Sequence, residues 1–145
     1  MIKAPLILAA RITTALHLVI TWNTGEILGC DLDATINRHA AFAPLAKPEV
    51  FSQVAVDEWG HGLDWPGGLD VGADRLYQLC REQAGLFSPT SFDCWIKNNQ
   101  LSLSTAAAAL GMTRRMVAHY RSGSRPIPKT VQLACIGWES LKKAV

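Results

Sequence analysis

Between Leu101 and Pro128 the chain reads LSLSTAAAALGMTRRMVAHYRSGSRPIP, and two short helices meeting at a sharp turn satisfy it better than anything else. Ser102 stands where a helix cap belongs, and the alanine-rich Leu103–Leu110 that follows is strongly helix-forming. Gly111 supplies the turn, because a left-handed backbone costs a glycine no side-chain clash. Thr113 caps a second helix, Arg114–Ser122, and Gly123 ends it. Ala107 is small where two helices would cross, and Leu103, Leu110, Val117 and Tyr120 are spaced to pack inward. Arg114, Arg115, Ala118, His119 and Arg121 are left off the packed face. This is the sequence form of a helix-turn-helix.

Such an arrangement points to nucleic acid. The first residues of the second helix reach base edges in the major groove of DNA, and an arginine fork bonds guanine O6 and N7 together. Thr113, at the helix start, can meet a phosphate through its hydroxyl and backbone N–H. His119 lies one turn beyond Arg115, and Ser122, Ser124, Arg125 and Lys129 follow where a strand of phosphates would pass. The expected DNA contacts are therefore Ser102, Thr113, Arg114, Arg115, His119, Arg121, Ser122, Arg125 and Lys129, with Thr113–Ser122 as the recognition helix. The competing reading is a solvated basic helix in an ordinary bundle. Against it, the small residue, the glycine and the inward apolar residues meet all the constrained positions at once.

The charge is distributed accordingly. Residues 1–86 hold six basic and ten acidic residues, a net of −4, whereas residues 87–145 hold eight basic and two acidic ones, a net of +6. A basic segment beside an acidic one suggests a nucleic-acid module joined to something else. The rest of the basic half is helical in pattern. Ser91 can cap a helix through Asn99 that buries Phe92, Trp95 and Ile96. Lys129–Leu141 forms a last helix with Val131, Leu133, Ala134, Cys135 and Trp138 as core candidates, and Phe87–Thr90 reads as a linker.

The first half reads as strands and turns. The segment MIKAPLILAAR is too short in its apolar part for a signal peptide and reads as a strand. HLVITW at His17–Trp22 and the return strand Ile27–Leu32 flank the turn Asn23-Thr24-Gly25-Glu26. Ala40–Pro48 reads as loop with a short helical turn, and Phe51–Val56 as a strand leading to Glu58-Trp59. Trp59–Val71 fits a bent strand and a Pro-Gly-Gly turn. A helix over Ala73–Ala84 follows, with Asp74 favouring its N-terminal dipole and Gly85 stopping it.

Cys30, Cys80, Cys94 and Cys135 contain no CxxC pair, so they read as buried free thiols of a reducing compartment. No apolar run reaches the ~18 residues that span a bilayer. His61, Asp64 and Asp70, and separately Asp31, Asp33 and His39, form polar groups whose spacing imposes no catalytic geometry. There is no phosphate-cradling glycine loop before a helix and no nucleophile elbow. Trp59 and Trp65 read as packing residues rather than ligand platforms.

Two resemblances accompany these readings. The spacing Trp95…Leu103…Ala107…Gly111…Val117…Tyr120…Gly123…Ile127-Pro128 resembles the Cro/C1-type (XRE-family) helix-turn-helix domain over Phe92 to Leu141. The resemblance implies a bundle of four or five helices in which Arg114, Arg115 and His119 match the base-reading positions. It also implies dimerisation, for which little chain remains after Trp138. The hairpin turn Asn23–Glu26, Phe51-Ser52-Gln53-Val54, the run Leu63–Asp70 and the helix bearing Leu76-Tyr77 are similar to the DUF2442 domain. That family has no established catalytic residues, and a regulatory or interaction role is what the similarity implies.

The sequence therefore predicts an α+β N-terminal domain, a small antiparallel sheet plus helix, over residues 1–86. An all-α lambda-repressor-like helix-turn-helix domain follows over residues 87–145. The expected protein is a cytoplasmic homodimer that binds double-stranded DNA as a transcriptional regulator, with no catalytic residue, cofactor, metal or membrane contact. The alternative is an antitoxin-like module whose N-terminal domain docks a protein partner and whose helix-turn-helix only autoregulates.

Overall fold

The computed structural model describes residues 4–144, which divide into two compact units, Ala4–Ala84 and a second beginning at Gly85. The first unit holds two three-stranded antiparallel sheets. In one, β1 (Ile7–Thr14), β2 (His17–Trp22) and β3 (Ile27–Asp31) lie in sequence order. In the other, β4 (Ala55–Val56), β5 (Gly62–Trp65) and β6 (Leu69–Gly72) do the same. Short helices α1 (Asp33–Arg38) and α2 (Pro48–Phe51), with a 3-10 turn over Ala40–Ala46 between them, connect the sheets. Helix α3 (Ala73–Gln83) closes the unit.

The alternation of HLVITW sets the face that β2 buries: Leu18, Ile20 and Trp22 point inward, with His17, Val19 and Thr21 on the other side. Opposite them, Leu28 and Cys30 of β3 share that face, and α3 covers it with Leu76 and Cys80. Each large apolar side chain enclosed this way contributes about 1.5–3 kcal/mol. Cys80 hydrogen-bonds to Cys30, and that bond together with burial pushes its thiol well above the ordinary range. Tyr77 meets Trp22 edge to face at 5.0 Å.

Two expectations for this unit are corrected. Phe51–Val56 is not one strand: Pro48 opens the one-turn helix α2 that ends on Phe51, and only Ala55–Val56 pairs with β5. Phe51 is buried against Trp65, rings stacked 5.8 Å apart, and its carbonyl accepts the Trp65 indole N–H at 3.0 Å. Trp59 lies outside the core; it is 68 % exposed at a turn tip. The turn is fixed by Gly60, at φ +77°, where a Cβ would lie 2.6 Å from the Ile7 carbonyl oxygen. The strand expected from MIKAPLILAAR begins at Ile7, and its first three residues lie outside those described.

The second unit is helical: α4 (Pro89–Asn98), α5 (Leu103–Leu110), α6 (Arg114–Ser122) and α7 (Lys129–Lys143). Helix α4 starts earlier than expected. Ser88, not Ser91, is its cap; its Oγ accepts the Ser91 N–H at 3.1 Å, and Pro89 takes the first helical position, where its missing N–H costs nothing. Ser102 and Thr105 form a reciprocal capping box at the start of α5. Thr113 Oγ1 accepts the Met116 N–H at 3.2 Å at the start of α6. Gly111, at φ +71°, turns the chain between them. Phe92, Trp95, Ile96, Ala106, Ala107, Val117, Tyr120, Ile127, Val131 and Cys135 form the core. Leu133 is a correction: it is exposed, on the opposite side of α7 from Val131 and Cys135. Cys94 is also exposed, unlike the other three thiols. Among the described residues no helix is long and apolar enough to cross a membrane.

Candidate functional site

Helix α6 separates its side chains into a packed and an exposed side. Val117 and Tyr120 bury one side of it, and Arg114, Arg115, Arg121 and Ser122 are exposed on the other. The packing explains the separation. Ala106 and Ala107 of α5 lie in the core with α6, and Phe92 of α4 meets Tyr120 edge to face at 6.1 Å. With those contacts fixed, the helical period turns Arg114, Ala118 and Arg121 onto a shared stripe at i, i+4, i+7.

Arg114 and Arg115 occupy the first two positions after the Thr113 cap, and neither forms an ion pair among the described residues. Two unpaired guanidinium groups sit beside backbone N–H groups of a helix start, the end that carries the positive dipole. Thr113 accepts a bond from Met116 and keeps its own hydroxyl proton to donate.

The other expected residues are engaged to different degrees. Arg121 Nε donates to Asp93 Oδ1 of α4 at 2.7 Å, and the second Asp93 oxygen lies 2.8 Å from Lys97 Nζ. The hydrogen bond from Lys97, followed by that from Arg121, holds the Asp93 carboxyl below its ordinary range. Arg125 and Lys129 are exposed just beyond α6, and Arg125 Nη1 approaches Met116 Sδ at 3.8 Å. Ser102 is exposed, but its hydroxyl is spent within the α5 capping box. Ser122 Oγ donates back to the His119 carbonyl at 3.2 Å. His119 departs from expectation: it is half-buried, and its Nε2 is enclosed with no hydrogen-bond partner among the described residues. It precedes the buried Tyr120 and lies about 100° round the helix from it, at the border of the packed side.

Several polar groups of the sheet unit are tied to a structural partner. Asp57 Oδ2 accepts the backbone N–H groups of Trp59 and His61 at 3.0 and 3.2 Å, and these bonds, that from His61 foremost, lower its carboxyl pKa. His61 Nδ1 stands 4.0 Å from the same oxygen. Asp64 and Asp70 face each other across β5 and β6, both exposed. Asp31 pairs with His17 at 3.5 Å and caps the backbone N–H of Asp33, while His39 lies against Phe42. No group of three or more His, Cys, Asp or Glu side chains able to hold a metal ion occurs among the described residues. One polar cluster had no signal in the sequence. Glu26, in the β2–β3 turn, accepts from Tyr77, Thr24 and Arg81.

Comparison with known proteins adds two findings. The model of the DUF2442 family, proteins of unknown function, matches residues 7–82, the sheet unit up to the last turn of α3. A crystal structure of a protein from Nitrosomonas europaea ATCC 19718, described as a candidate DNA-binding protein, is similar over both units. Identity is 39 %, 95 % of this chain and 88 % of that chain are covered, and the TM-score is 0.62. No curated protein matches the chain significantly.

Proposed function

The chain belongs to the DUF2442 family, and on that premise we propose that its helical unit is a helix-turn-helix that binds double-stranded DNA, making the protein a cytoplasmic transcriptional regulator. In this reading the sheet unit is a regulatory or interaction module and neither unit is an enzyme. Helix α6 enters the major groove, with Arg114 and Arg115 reading base edges. Thr113, Arg125 and Lys129 meet phosphates on either side. The observation that carries the reading is the exposure of Arg114 and Arg115, unpaired, at the capped start of a helix whose opposite side is locked in the core. The Nitrosomonas protein, described as a candidate DNA-binding protein, supports it from outside. The net charge of +6 beyond residue 86 supplies the attraction.

A unit this small buries limited surface on a duplex, so a homodimer on two half-sites about one helical turn apart completes the proposal. The test is selection of bound duplexes from a random pool at near-physiological salt. Enrichment of a two-fold symmetric sequence is expected. Binding of the wild type and of an Arg114→Ala, Arg115→Ala double variant to every duplex with equal affinity ends the base-reading assignment.

A further inference from the structure

Helices α4 and α6 touch through two successive residue pairs. Phe92 meets Tyr120 in the core, and the next residue along each helix, Asp93 and Arg121, meets its counterpart at the surface. The contact uses Arg121 Nε, so in a side chain 40 % exposed the donors of both Nη groups stay unspent among the described bonds. Asp93 divides its oxygens between Arg121 and Lys97, whose side chain is 67 % exposed. Arg121 shares the stripe of Arg114, seven residues or about 10 Å further along the helix axis.

From this geometry we propose that Asp93 is a positioning residue for the DNA interface: it holds the Arg121 guanidinium by its Nε edge so that the Nη fork is presented to a phosphate. The inference rests on the DNA-binding reading of α6. It opposes what charge alone dictates. Asp93 is one of only two acidic residues beyond residue 86, and removing a negative charge beside a polyanion should tighten binding. If Asp93 pre-organises Arg121, removing it weakens binding, because a freed arginine side chain must be ordered again on the duplex.

The sign of the change decides the matter. Wild type, Asp93→Asn, Asp93→Glu, Arg121→Ala and the Asp93→Asn, Arg121→Ala double variant are titrated with one duplex over a series of salt concentrations. Asp93→Asn is expected to weaken binding about threefold to tenfold and to shrink the salt slope by about one, as Arg121→Ala does. The double variant should lose little beyond either single change, and Asp93→Glu should recover part of the loss. Thermal melting of each variant separates these effects from loss of the fold. Tighter binding by Asp93→Asn, or additive losses in the double variant, overturns the positioning role while leaving DNA binding intact. Absence of any salt-dependent duplex binding by the wild type overturns the DNA reading and this inference with it.

Discussion

Arg81 donates from Nη1 to Glu26 Oε2, joining the last turns of α3 to the β2–β3 turn across 55 residues of sequence. The Arg81 side chain is only 9 % exposed, and Tyr77 and Thr24 donate to the same Glu26 carboxylate. A buried ion pair adds little to stability over an apolar pair, but removing this carboxylate takes away the acceptor of three hydrogen bonds at once. Glu26→Ala is therefore expected to destabilise the sheet unit by about 3 kcal/mol, read as a lowered midpoint in chemical denaturation. A change below about 0.5 kcal/mol would show that the Glu26 cluster adds nothing measurable to the fold.

The same cluster predicts alkaline lability. The Tyr77 hydroxyl is pushed up to about 12, chiefly by burial and then by its bond to Glu26. Its folded pKa lies above the unfolded value near 10, so the stability linked to it is fully present below about pH 10 and declines as pH rises toward 12. Tyr77→Phe should flatten that decline. Ultraviolet titration of the phenolate, compared with stability curves at each pH, checks both halves of the statement.

Two left-handed glycines should respond differently to a methyl group. At Gly111 an added Cβ meets open space, so Gly111→Ala pays only the backbone term of about 1–2 kcal/mol. At Gly60 the Cβ would also press on the Ile7 carbonyl oxygen, 2.6 Å away, and neither backbone can yield without breaking the Ile7 N–H bond to the Gly60 carbonyl. Gly60→Ala is expected to cost clearly more than Gly111→Ala in paired denaturation curves.

On DNA, replacing either Arg114 or Arg115 with alanine should cost about 1–3 kcal/mol on a preferred site and relax selectivity at one position. Lys129→Ala should instead weaken all duplexes alike and lower the salt slope by about one. Titrations of matched and scrambled duplexes distinguish the two patterns.

The helical unit was legible in the sequence where its signals are local. Ser102, Gly111, Thr113 and Gly123 each act within three or four residues of themselves, and α5 and α6 begin and end where those residues dictate. The sequence places the start of α4 one turn late because Ser88 and Ser91 are both good caps; their hydroxyls lie 3.0 Å apart, and Pro89 decides between them. Phe51–Val56 looked like a strand because a short alternation cannot outweigh a proline-initiated helical turn next to it. The outward face of α6 followed from its period, but His119 did not, since a ring at the border of the packed stripe turns inward on a small rotation. Asp93–Arg121 and Glu26–Arg81 join residues 28 and 55 positions apart, and no local pattern encodes such a meeting.

The aromatic residues divide between the two units in a way that makes each observable alone. Trp22 and Trp65 are enclosed in the sheet unit, while Trp95, whose indole N–H bonds the Cys135 carbonyl at 3.2 Å, is enclosed in the helical one beside Trp138. A chain with Trp95 and Trp138 changed to phenylalanine would carry tryptophan only in the sheet unit, and the reciprocal chain, with Trp22, Trp59 and Trp65 changed, only in the helices. Fluorescence of that pair during denaturation would reveal whether the two halves melt in a single step or one after the other.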